Sequence, residues 1–152
     1  MRTLGNILWH IPFLGFLNAI FTFLGGLIAT VLVLPAPIGL GLMEFSKFLM
    51  APFSNAMVSK TELGEVPKNG AWETYQAIVM VIYFPFGLLL CVLALFQIVG
   101  MFLSIVGIPV ALVVAKSLGT YLNPVNKKCV PQAVADELER KKGQRAVQQH
   151  LG

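Results

Sequence analysis

The sequence predicts an all-α integral membrane protein with an internal two-fold repeat, each copy reading as a long transmembrane helix, a proline turn and a short helix. Three observations carry this. Residues 74–115 form a run of 42 without one Asp, Glu, Lys or Arg, and residues 3–43 form a second such run. A hydrocarbon core about 30 Å thick takes about 20 apolar residues as helix, so each run holds one span and a second, partial element. The chain is 57% hydrophobic and 12% charged with a mean hydropathy of +0.78, a composition at odds with a water-facing surface.

The first run reads as helix over residues 3–34, because backbone in lipid must satisfy its own hydrogen bonds. Pro12 is expected to kink it near its start, with Trp9 and His10 at the membrane interface. Gly25, Gly26 and Ala29 offer small surface for close helix approach. After Pro35-Ala36-Pro37 a short helix is expected to about Ala51, carrying Glu44 and Lys47 on one face, with Pro52 ending it. Residues 59–73 form the polar internal loop, with a turn at Lys68-Asn69-Gly70 and Trp72 and Tyr75 as an interfacial pair at its exit.

The second run is expected to kink at Pro85, span over residues 86–106 and divide at Gly107-Ile108-Pro109. A short helix then runs to about Leu122, with Lys116, Thr120 and Asn123 as a polar stripe at i, i+4 and i+7. Pro124 stops it. From Pro131 a solvated helix is expected, with Asp136, Glu137 and Glu139 preceding Arg140, Lys141 and Lys142 as the helix dipole favours, and fraying over residues 148–152.

Setting Pro37 on Pro109, an offset of 72, also brings Pro52 onto Pro124, Val58 onto Val130 and Leu14-Gly15 onto Phe86-Gly87. The Pro-to-Pro spacing is 15 in both copies. These prolines are the expected repeat hinges, and the division is residues 1–58, first repeat; 59–73, connecting loop; 74–130, second repeat; 131–152, basic tail helix. If both short helices return across the bilayer there are four spans; if they lie shallow or re-enter there are two. The charge-free turns favour four.

The net charge is +4, and seven of the eleven basic residues lie from Lys116 onward. With Arg2 this predicts that both termini are cytoplasmic. The aromatics are not interleaved with the basic residues, so nucleic acid is not an expected partner. Cys91 and Cys129 read as free thiols. His10, Cys91, Cys129 and His150 lack ligand spacing, there is no glycine-rich phosphate loop, and Ser54, Ser59 and Ser104 have no His and Asp near them. The expectation is therefore no metal, no cofactor and no enzyme activity.

Gly107-Ile108-Pro109-Val110 followed by Pro124-Val125-Asn126-Lys127, an earlier copy ending in Pro52-Phe53-Ser54, and the opening Arg2-Thr3 with Asn6-Ile7-Leu8 resemble the YccF-type bacterial inner-membrane proteins. The resemblance covers residues 1–130 in two copies of a short domain and implies a multi-pass inner-membrane location. The family usually has Gly where this chain has Ser54 and Asn126, although Asn tolerates positive φ. It supplies no catalytic or ligand residues.

The intramembrane polar candidates are Glu44, Lys47, Lys116, Thr120 and Asn123, since charge in the bilayer usually faces a partner or a water-filled path. The offset of 72 sets Glu44 on Lys116, which suggests either a packing pair, Glu44 with Lys47 or with Lys116, or an ion path. Lys127 and Lys128 are candidate lipid headgroup contacts. The function expected is an oligomeric component conducting or supporting passage of an ion or small solute, with the bilayer and further copies of the chain as partners. The alternative is a non-transporting interaction or scaffold protein whose basic C-terminal helix binds a partner or anionic lipid.

Overall fold

The structure, a computed structural model, describes residues 2–11, 13–65 and 69–151. The expected kink at Pro12 and the residue Lys68 of the expected turn lie outside these. In order, the elements are α1 (Arg2–His10), α2 (Gly15–Val31), α3 (Ala36–Met50), β1 (Asn55–Ser59), α4 (Gly70–Phe102), a single 3-10 turn at Ile105–Gly107, α5 (Ile108–Lys116), α6 (Leu118–Leu122), β2 (Lys127–Pro131) and α7 (Gln132–Leu151).

The chain is mostly helical, but it is not all-α. β1 and β2 pair antiparallel, with Met57 opposite Cys129 at the centre of the register. Pro52 and Pro124, both fully buried, break the preceding helices and release the chain as extended backbone. Two five-residue segments without a clean alternation of polar and apolar side chains carry little strand signal of their own.

Other expectations also change. The first apolar segment is not one helix: α1 ends at His10, α2 starts at Gly15, and their axes differ by 78°. Trp9 is not interfacial but completely buried, its indole N–H donating to the Leu49 carbonyl at 2.7 Å. His10 Nε2 meets the Met50 carbonyl at 2.7 Å, so α1 caps the carbonyls left open at the end of α3. α4 begins at Gly70, inside the expected loop, with Asn69 accepting from the Ala71 N–H, and it continues through Pro85. The last short helix breaks at Ser117 into α5 and α6, and α7 stays helical to Leu151.

Among the described residues one helix, α4, is long and apolar enough to cross a membrane, or two if the bent α1–α2 pair is counted as one span. α3, with 15 residues, reaches only about 22 Å.

The elements stack in layers. α2 and α4 run antiparallel: Asn18 of α2 donates to Gln97 near the end of α4 (3.4 Å), and Tyr75 near the start of α4 donates to the Leu34 carbonyl beyond α2 (2.6 Å). α3 packs on α2, and α5 and α6 pack on α4. Gly26 and Gly39 allow the first of these contacts, since a methyl on either would collide with the facing backbone. Phe45, Leu49, Val110 and Val114 form the buried core of this second layer with Trp9. The sheet comes next: Met57 and Cys129 pack toward that core, while Val58 and Val130 point the other way, onto Ala135 and Leu138 of α7. α2 and α4 leave large apolar side chains exposed along most of their length, including Phe21, Ile28, Ile82, Leu93 and Phe96.

Candidate functional site

The polar chemistry gathers around the two edges of the sheet. At the β2 edge, the Glu44 carboxylate from α3 accepts from the Cys129 N–H at 3.0 Å and pairs with Lys47 at 2.5 Å. Of the pairings considered for Glu44, this is therefore the one with Lys47; Lys116 makes no ion pair with it among the described residues. Burial pushes the Cys129 thiol up to about 11, and the neighbouring Glu44 carboxylate adds to the shift.

At the β1 edge a cavity of about 610 Å³ opens between β1, α5 and α7. Phe48, Phe53 and Val113 give it apolar walls, and Lys116, Lys127 and Lys142 line it with Glu62 and Glu139. Lys142 pairs with Glu62 at 2.7 Å, whereas Lys116 and Lys127 form no ion pair among the described residues. Lys128 is held by Glu65 at 2.7 Å, so the two lysines singled out as headgroup contacts differ: one is paired, the other faces the cavity.

The expected stripe of Lys116, Thr120 and Asn123 is divided. Lys116 is exposed to the cavity, Thr120 is buried, and Asn123 accepts from the Val125 N–H at 3.1 Å, shaping the turn after α6. Asn126 adopts φ 58°, the left-handed conformation that asparagine tolerates. Its amide exchanges two hydrogen bonds with buried Gln76, at 2.9 and 2.6 Å. This pair was not read from the sequence; the two residues lie 50 apart and share no local pattern. Of the hinges, Pro37 and Pro109 both open helices, but Pro37 is buried and Pro109 exposed.

These features define a small, mostly helical protein whose apolar layer belongs in lipid and whose charges collect around a sheet. The chain is 28% identical to Inner membrane protein YccF of Escherichia coli (strain K12) over 131 residues, 86% of this chain and 88% of the relative. The protein of the same name from Shigella flexneri matches with the same identity and coverage. The chain is thus similar to these inner-membrane proteins, a likeness that supports an inner-membrane location. No family model matches the chain, and no solved structure matches it.

Proposed function

We propose that this protein is a non-catalytic inner-membrane component, built from two related halves, that holds its α2/α4 layer in lipid and offers its sheet and α7 to the cytoplasmic headgroups of anionic lipid. The layer order carries this reading. The ion pairs Lys128–Glu65 and Lys142–Glu62 and the lysines of the β1 cavity all lie on the sheet and α7 side, opposite the exposed apolar faces of α2 and α4. Charge is expelled from hydrocarbon at about 2.5–3.5 kcal/mol per residue on insertion scales, so a membrane would accept the molecule in one orientation.

The duplication is supported by the strands. The offset of 72 carries Asn55–Ser59 onto Lys127–Pro131, and the register sets the equivalent residues Met57 and Cys129 face to face. Because α2 and α4 run antiparallel, with Tyr75 at the start of α4 beside the Leu34 carbonyl beyond α2, the two hairpins point in opposite directions within the layer, and the sheet in which β1 and β2 meet covers one face of it. The short helices then lie over that layer rather than crossing the bilayer, and the sheet, α7 and the connecting loop take the cytoplasmic face.

Single cysteines at Glu65 and Arg145, in a protein otherwise free of cysteine, test this topology. Both should resist a membrane-impermeant maleimide in intact cells and react in inverted vesicles. Labelling of position 65 from the periplasm would reject it.

The conducting reading draws on the Asn18–Gln97 amide pair, a polar contact inside the apolar layer. It requires several copies to associate through α2 and α4. Oligomers in lipid bilayers together with ion flux would favour it over headgroup binding.

A further inference from the structure

The two edges of the sheet are equivalent in backbone but not in charge. Lys60 donates to the Asn126 carbonyl and Gln132 to the Ser54 carbonyl, which fixes 58–128 and 56–130 as the hydrogen-bonded pairs and turns the N–H groups of Met57 and Cys129 outward. At β2 that outward N–H meets the carboxylate of Glu44, itself held by Lys47. Carried over by the offset of 72, the residue equivalent to Glu44 is Lys116, which lines the same cavity as Met57 and cannot accept a hydrogen bond. One half thus seats its own carboxylate against the strand edge. The other presents an edge N–H and a lysine to a shared cavity.

We propose that the cavity at the β1 edge binds the phosphate of an anionic phospholipid headgroup, held by Lys116, Lys127 and the Met57 N–H. Lys127 reaches the same cavity, and neither lysine is neutralised by an ion pair among the described residues, whereas Lys142 is already engaged by Glu62. Glu139, at the α7 wall, gives the opening a boundary that disfavours further negative charge. The apolar walls decide for a lipid over free phosphate: Phe53 lies against Gly5 of α1, and α1 exposes Leu4 and Ile7, followed by exposed Ile11, a path for the acyl and glycerol portion from bilayer to cavity. The site rests on the cytoplasmic-headgroup reading above and names where on that face the lipid is held.

Native mass spectrometry of the whole protein in detergent, titrated with phosphatidylglycerol and with phosphatidylcholine, tests it. One phosphatidylglycerol should be retained in preference. Lys116→Gln and Lys127→Gln should each weaken it about fivefold, the effect of one lysine on an anionic headgroup, while Lys128→Gln leaves it unchanged. Lys116→Glu should abolish binding yet keep the protein folded, by supplying the carboxylate that Glu44 supplies opposite. Phosphatidylglycerol preference that survives all of these variants would overturn the site and leave the broader reading standing. No preference in the parent would overturn both. Displacement of the lipid by millimolar inorganic phosphate would overturn the lipid in favour of a soluble anion.

Discussion

Cys129 shows how a single side chain reports on the sheet. Its backbone N–H is tied to Glu44, and its half-buried thiol is displaced from the usual value of 9.0 to about 11 by burial, with the carboxylate adding to it. The neutral thiol is the form the fold prefers. Its contribution to stability is therefore complete below the unfolded value and is lost as pH rises from about 9 through about 11. In a Cys91→Ala protein, the rate of alkylation by iodoacetamide should reach its half-maximum near pH 11 rather than near pH 9. A half-maximum near pH 9 would mean that Cys129 is solvated and that the β2 edge is not packed against α3.

At the scale of elements, close approach matters more than helix propensity. A methyl on Gly41 of α3 would run into the carbonyl of Pro124, the residue that ends the second short helix and opens β2. Gly41→Ala should therefore destabilise the protein by about 1–3 kcal/mol, although alanine is the better helix former. Gly100→Ala, in open space on α4, should be neutral or stabilise by up to about 1 kcal/mol. Unfolding in mixed micelles compares the two, and equal effects would remove the α3–Pro124 contact. The apolar runs were legible as helix because lipid leaves one solution for them, and the proline positions gave the ends of α3, the start of α5 and the end of α6, but not the breaks after His10 and at Ser117. The strands were not legible: Asn55–Ser59 and Lys127–Pro131 become strands only by meeting each other, a long-range event with no local period. For the same reason the sequence left Glu44 open between Lys47, Lys116 and an ion path, whereas in the structure it pairs with Lys47 at the β2 edge and Lys116 lines the cavity at the β1 edge. Trp9 misled because an aromatic at the start of an apolar run has the same signature whether it lies at an interface or caps a neighbouring helix.

For the molecule as a whole, the account rests on two halves meeting through equivalent strands, from which the layer order, the common face of the sheet and α7 and the unequal edges all follow. Met57→Cys in a Cys91→Ala background places a second thiol opposite Cys129 at the centre of the register. As a non-hydrogen-bonded pair the two Cα atoms should stand roughly 4.5 Å apart, within disulfide range. Mild oxidation in native membranes should give an intramolecular disulfide in nearly every molecule, while Val58→Cys, whose side chain faces α7, should give little. Failure of the Met57→Cys protein to close, or closure only between chains, would contradict the pairing and with it the arrangement of the two halves.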